Sequence, residues 1–297
     1  MNVSERLPRT AIIILVFSLA LICIGILLSV NSCASTEVRE GEEFTVNPGN
    51  SNSSNGDANY EGPYPSHYAD LDLVDAPKGL NQQHKQYTGF KVSFNSDNKT
   101  PNYVTWELLG SEVSNAVDRT DNFWQDTEIK GCPTSRDYTG SGYDRGHICP
   151  AADQKWSLEA MNDCFVMANI CPQDHQLNAG AWNTLENKER QWAQRDSAII
   201  IVAGPIYSEE DNKRIGNAGV RVPGAFFKAI IAPYSENPKG IAFVYPNMAS
   251  PGNMESYAMS IDEVEEITGL DLFYALPDDI ENKIEAEFSF KEWNSSK

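Results

Sequence analysis

Tyr143-Asp144-Arg145-Gly146-His147 and, some thirty positions on, Leu177-Asn178-Ala179-Gly180-Ala181-Trp182 hold the side chains in this chain best suited to chemistry. Histidine is scarce: His67, His84, His147 and His175 are the four, and only His147 sits in a compact Asp-Arg-Gly-His cluster. An imidazole titrates near neutrality, so it can take a proton from water. Arg145 brings a permanent charge to the place where negative charge accumulates in a transition state. Asn178 offers a neutral amide oxygen, a suitable ligand for magnesium, which keeps most of its waters. Glu186, on the same helical sector as Asn178 and Trp182, can orient a metal-bound water. Base, fixed charge and oxygen ligand are the parts that hydrolysis of a phosphodiester by one hard cation requires.

Each residue also has a plainer use. Asparagine caps helices well, so Asn178 could serve only the helix start. Glu186 could pair with Arg190 on a helix surface. Asp144 could fix Arg145 or cap a turn, and Arg119, in Val117-Asp118-Arg119-Thr120-Asp121, taken alone is a surface arginine. The joint occurrence of Asn178 and Glu186 downstream of Asp-Arg-Gly-His favours the chemical reading for those two, while Arg119 is lifted only by the family resemblance below.

The elements around these motifs follow from periodicity. Gly142–Ile148 and Cys164–Ile170 read as short strands, with Ser157–Met161 a brief helix between them. Ala179–Arg195 reads as the strongest helix, because Trp182, Leu185, Glu189 and Trp192 recur every three or four residues. Upstream, Tyr87–Phe94 and Tyr103–Leu109 flank a turn-forming stretch and form a hairpin. Ala198–Val202, Phe226–Ala232 and Ile241–Tyr245 are apolar runs typical of buried strands. Ser260-x-x-Glu263 and Asp278-x-x-Glu281 have the capping-box pattern of helix starts. Strands and helices do not alternate regularly, which favours an α+β fold: a mixed, mainly antiparallel central sheet flanked by helices.

Composition sets the frame. With 41% hydrophobic and 22% charged residues, the chain is an ordinary globular protein with a core, not a pervasively disordered one. A net charge of −19 excludes nucleic-acid binding by bulk electrostatics. Acid is concentrated in stretches such as Glu37–Glu43, Asp262–Glu266 and Asp278–Glu292, while Arg119, Arg136, Arg145, Lys155, Lys188, Arg190 and Arg195 cluster mid-chain. A polyanion would therefore need a local basic cleft there, aided by bound metal.

Three segments are expected: an anchor or signal at 1–33, an acidic, Asn/Ser/Gly-rich flexible tether at 34–70, and a folded domain at 71–297. Ala11–Val30 is a run of twenty uncharged residues, long enough to cross a ~30 Å hydrocarbon layer. Arg6 and Arg9 precede it, which places the body outside the cytoplasm. It reads either as an uncleaved signal anchor or as a lipoprotein signal ending at Cys33. Either way the expected location is extracytoplasmic, membrane-tethered or else secreted. In an oxidising compartment Cys132, Cys149, Cys164 and Cys171 suggest two disulfides, with the pairing open. A zinc site on these thiols and His147 is the rival, weakened by the lack of any Cys-x-x-Cys pair.

Asp144-Arg145-Gly146-His147, then Ala168-Asn169-Ile170-Cys171-Pro172-Gln173, then Leu177-Asn178-Ala179-Gly180-Ala181-Trp182 with Leu185-Glu186, resembles the DNA/RNA non-specific endonuclease family. These are the ββα-metal, or His-Me finger, nucleases of the endonuclease G type. The likeness runs from about Leu80 to Asp279 and includes Gly204-Pro205-Ile206-Tyr207, Val222-Pro223-Gly224-Ala225-Phe226-Phe227-Lys228 and Leu276-Pro277-Asp278. The resemblance implies a ββα-metal motif in which His147 is general base, Asn178 the metal ligand, Glu186 the water-orienting group, and Arg145 and Arg119 bind phosphate. It implies Mg2+, with Mn2+ able to substitute. The substrates would be DNA and RNA, cut without sequence preference to 5′-phosphate and 3′-hydroxyl ends. A homodimer is compatible with it. The alternative is a catalytically inactive surface module, binding nucleic acid or a protein partner on the same fold. Cysteine at 149 and 171 and the acidic surface depart from the family's usual pattern.

Overall fold

Apolar strand sequences of eight or nine residues dominate the second half of the chain, and they pair into the centre of one sheet. A computed structural model describes residues 70–113, 116–250 and 252–295, all within a compact unit spanning Gly62–Lys297. The strands are β1 (Val74–Asp75), β2 (Gln83–Gln86), β3 (Lys91–Asn95), β4 (Thr100–Leu109), β5 (Asp144–His147), β6 (Ile170–Gln173) and β7 (Ala198–Ile206). After these come β8 (Arg214–Ile215), β9 (Val220–Arg221), β10 (Ala225–Ala232), β11 (Lys239–Pro246), β12 (Ala258–Met259) and β13 (Asp271–Leu272). The helices are α1 (Leu158–Cys164), α2 (Asn183–Asp196), α3 (Ile261–Thr268), α4 (Asp278–Ala286) and α5 (Phe290–Trp293).

The main sheet is antiparallel throughout, in the order β12-β11-β10-β7-β4-β3-β2. β7 and β10 lie at its centre and are buried along nearly their whole length. Burial on both faces explains why they read as continuous apolar runs rather than alternating ones. α2 packs on β7 and β4, while α3 and α4 pack on β11. Trp192 of α2 stacks on Phe243 of β11 and meets Trp293 of α5 edge-on, with centroids 6.4 and 4.8 Å apart, so the C-terminal helix is tied to the same core.

The expected fold class holds. The early hairpin is β3–β4, with an irregularity in its register at Ser93/Phe94. Two element readings need correction. Cys164–Ile170 is not a strand: Ser157 caps α1, which runs to Cys164, a 3-10 turn covers Met167–Asn169, and β6 starts only at Ile170. The Asn169 side chain replaces the missing ladder, its amide donating to the carbonyls of Cys149 and Cys164 and accepting from Cys149 N. Ser260 and Glu263 do form a reciprocal capping box. Asp278, by contrast, is already the first helical residue of α4; Pro277 precedes it and no side chain caps the helix. Proline's fixed φ at the entrance takes over the role assigned to a carboxylate.

The disulfide expectation is also corrected. Cys132, Cys149, Cys164 and Cys171 are all free and buried. Each thiol faces the apolar core, and burial pushes that of Cys132 up to about 11 and those of Cys149 and Cys171 well above the usual range. Among the described residues no cysteine–histidine cluster converges on a metal position, which removes the zinc alternative. Buried, protonated thiols are poor nucleophiles. Iodoacetamide should therefore leave these four residues unlabelled in the native protein and modify all four after unfolding, as read by peptide mass. Labelling at native rates typical of an exposed thiol would contradict their placement.

Candidate active site

β5 and β6 form a separate two-stranded antiparallel ribbon, with Asp144 opposite Gln173 and His147 opposite Ile170. Directly after β6 the chain turns into a helix: a π-helical segment, Leu177–Trp182, leads into α2. Gly146 sits where the ribbon is tightest. A Cβ there would come within 2.3 Å of Gln173 Oε1 and 2.5 Å of Gln173 Cβ, so only glycine lets the two strands close.

His147 is buried against aromatic rings. Its imidazole meets Phe165 edge-on at 4.9 Å and leans on Phe123 at 5.4 Å, and these two phenyl rings contact each other at 5.0 Å. Its Nε2 is shielded and has no hydrogen-bond partner. Burial, with the Arg119 charge beside it, holds its pKa down at about 3, against a weaker pull from Asp121. The ring is therefore neutral at any pH near 7 and able to accept a proton.

The same two rings carry both arginines. The Arg119 guanidinium lies 4.9 Å from the Phe165 centroid, and that of Arg145 lies 5.3 Å from Phe123. Arg145 donates to the Ser135 carbonyl and Arg119 to Asp121. His147 and the two arginines are thus assembled on one aromatic pair. The segment that brings Phe123 and Arg119 is pinned by a short parallel bridge, Trp124 to Val166, with Trp124 N donating to Phe165 O and Met167 N to Trp124 O. No sequence signal marked this bridge, because one isolated pair leaves no periodicity.

Asn178 is held from the other end of β5. Its Nδ2 donates to Asp144 Oδ2 at 2.9 Å, and His175 Nδ1 lies 2.8 Å from the same oxygen. Asp144 therefore fixes the asparagine, not Arg145, and leaves the amide oxygen Oδ1 as the end available to a cation. The helix start does not use Asn178: Asp174 accepts from the backbone N–H groups of Gln176 and Leu177 instead. On a straight α-helix Asn178 and Glu186, eight positions apart, would sit about 80° apart. The π turn absorbs one residue and brings the ideal offset to about 20°. Gly180, at φ −106 and ψ −105, leaves the helical region to allow it.

Glu186 is half-buried beside a group of buried charges that sequence reasoning missed. Arg190 does not pair with it; Nη1 goes to Asp153 at 2.7 Å and Nη2 to Asn187. Lys228 of β10, fully buried, bonds Glu189 at 2.9 Å and lies over Trp182 at 4.5 Å. Burial pushes Glu186 up to about 7, and Glu189 and Asp153 add to this while Lys228 and Arg190 oppose it. Of the mid-chain basic residues, Arg190 and Arg195 are committed to structural pairs with Asp153 and Asp196, so the local positive surface is narrower than their number suggests. Asp144 and Lys228 were within quoted motifs, but nothing in the spacing distinguished their partners.

Residues 68–279 match the DNA/RNA non-specific endonuclease family. The mitochondrial nuclease EXOG of Xenopus laevis is 34% identical over 212 residues, 66% of this chain and 59% of the relative. The mitochondrial Nuclease 1 of Schizosaccharomyces pombe is also 34% identical over 212 residues, 64% of this chain and 65% of the relative. The chain thus spans somewhat under two thirds of these relatives' length. A crystal structure of an EndoG/EndoGI complex superposes with a TM-score of 0.62 at 28% identity, covering 67% of this chain and 89% of that one.

These relatives overturn the expected extracytoplasmic, membrane-tethered lipoprotein or secreted location, since they are named as mitochondrial. Among the described residues no helix is long and apolar enough to cross a membrane. The Ala11–Val30 run, Cys33 and the 34–69 stretch lie outside the described residues. An uncharged run reports affinity for hydrocarbon and not which membrane or compartment it addresses, which is why that reading went astray. With its matched span, its sheet and its Asp-Arg-Gly-His ribbon, the chain belongs to the DNA/RNA non-specific endonuclease family, a family of hydrolases.

Proposed function

We propose that this chain is a metal-dependent endonuclease that hydrolyses DNA and RNA without sequence preference, leaving 5′-phosphate and 3′-hydroxyl ends. The observation that carries the reading is a neutral His147 set on the same aromatic pair as two arginines. His147 takes the proton from the attacking water. Arg145 and Arg119 hold the phosphate and offset the charge that builds on phosphorus. Asn178 Oδ1, the amide atom that the Asp144 bond does not use, would hold Mg2+ (or Mn2+), and the ion would supply positive charge to the scissile phosphate and the leaving 3′ oxygen. Glu186 in its ionised form orients water from the helix side. Contacts to phosphate and sugar alone account for indifference to sequence.

The test is incubation of the purified chain with supercoiled plasmid and with structured RNA, in Mg2+ and in chelator, followed by end-group mapping. Cleavage of both that stops in chelator is expected; intact substrates in Mg2+ would sink the proposal. A finer prediction concerns Asp144. Asp144→Ala frees the Asn178 amide and should raise the Mg2+ concentration for half-maximal cleavage by about 10–100-fold, as loss of a ligand's supporting hydrogen bond commonly does. Asn178→Ala should raise it at least as far. An unchanged Mg2+ dependence in both variants would remove Asn178 as the ligand.

A further inference from the structure

We propose that Asp262, Glu265 and Glu285 form a calcium-binding site between α3 and α4, separate from the Asn178 position. Asp262 and Glu265 stand three residues apart on one face of α3. Glu285 comes from α4, which packs on α3 while both lie on β11. One carboxylate oxygen from each of the three lies within 4.8 Å of the other two.

An acidic cluster on a surface is commonplace, but Glu285 is not on the surface. It is 6% exposed, and its Oε1 is shielded from solvent with no hydrogen-bond partner. A buried, unsatisfied carboxylate oxygen is costly. The charged groups acting most strongly on it are Glu265, Glu281, Asp262 and Asp271, all acidic. Nothing in that set supplies the positive charge that such an arrangement calls for. Glu265 is already oriented, since its Oε1 accepts from Leu272 N at 2.6 Å, and this ties the cluster to β13.

The donors are all hard oxygens, which selects calcium or magnesium over softer ions. The ligand set separates the two: magnesium keeps most of its waters and takes one or two carboxylates, whereas calcium accepts several carboxylates in a flexible geometry. Two oxygens on one ion can be no further apart than twice the bond length: about 4.2 Å for magnesium and about 4.6–5.2 Å for calcium. All three oxygens lie within 4.8 Å of one another, inside calcium's reach. Exposed Asp262 leaves an open side where waters complete the coordination. Three carboxylates on helices give a site of modest affinity, on the order of 10⁻⁴–10⁻³ M. A bound ion would clamp α3, α4 and β13 together.

The experiment uses the full chain carrying Asn178→Ala, so that ions at the proposed catalytic position do not contribute, and reads thermal unfolding and calorimetric titration. Calcium at several times its Kd should raise Tm by about 3 °C, with magnesium giving a clearly smaller shift. Glu285→Gln should weaken calcium binding at least ten-fold and remove the shift. Asp262→Asn, at an exposed position that does not threaten folding, should also weaken binding several-fold, and it decides the matter if the Glu285 variant is unstable. No calcium-dependent shift or heat, equal shifts with magnesium, or undiminished binding in both variants would each overturn the site. So would a Tm that rises as pH falls yet ignores calcium, since the carboxyls would then be sharing a proton.

Discussion

Replacing His147 with alanine should lower kcat for plasmid cleavage by about 10²–10⁴-fold while changing KM little, the loss expected when a positioned general base is removed. The imidazole makes no hydrogen bond through Nε2 and its packing partners are two phenyl rings, so its removal takes away a proton acceptor and no phosphate ligand. Arg119 and Arg145 keep their rings, and Asn178 keeps Asp144, so the half-saturating Mg2+ concentration should stay where it was. The pH profile gives the sharper check. With its pKa held at about 3, His147 is neutral across any practical assay range and contributes no acid limb near neutrality. Glu186, pushed up to about 7 by burial, does titrate there. Activity should therefore rise with pH through about 7 as Glu186 ionises, the limb should persist in His147→Ala, and it should flatten in Glu186→Gln. A limb abolished by His147→Ala and kept by Glu186→Gln would reverse the two roles.

The sequence made visible whatever is local. Asp144–His147 and Asn178 fall in contiguous motifs, α2 follows from a three-to-four residue apolar period, and β7, β10 and β11 from apolar runs bounded by Gly and Pro. What stayed hidden depends on side chains meeting across long separations. Phe123 and Phe165 are forty-two positions apart and look like ordinary core aromatics, yet together they support His147 and both arginines. The partner of Asp144 lay beyond the neighbouring Arg145, and Arg190 turned away from Glu186 toward Asp153. The Cys164–Ile170 misreading has the same origin. Apolar residues at the end of a short helix and in a 3-10 turn carry the composition of a strand, and only the Asn169 side chain reveals that no ladder forms there. Cysteine number gave a disulfide expectation because parity and compartment were the only inputs; four separate buried positions in the core decide otherwise.

Lys228→Met should destabilise the fold by about 3–5 kcal/mol, the usual cost of removing one partner from a buried ion pair. Both Lys228 and Glu189 are fully buried, with Nζ to Oε2 at 2.9 Å, and the second Glu189 oxygen has no partner at all. Without the ammonium, Glu189 is left as an uncompensated carboxylate beside Glu186 and Asp153, and burial already pushes its pKa up. Stability, measured by urea unfolding, should then become steeper in pH. The folded state keeps a proton on Glu189 that the unfolded state releases, so stability is lost as pH rises above the unfolded carboxyl range. Function should move with it. Lys228 is the strongest group holding Glu186 in its charged form. Its loss raises the Glu186 pKa, shifts the acid limb of activity upward from about 7 and lowers turnover at neutral pH. The double variant Lys228→Met/Glu189→Met removes opposite charges together, and replacing a buried pair by apolar groups is commonly neutral or stabilising. Both the unfolding midpoint and the acid limb should return toward those of the parent protein. A double variant as unstable as the single one would mean that Lys228 matters for its packing on Trp182 and Trp106 rather than for its charge.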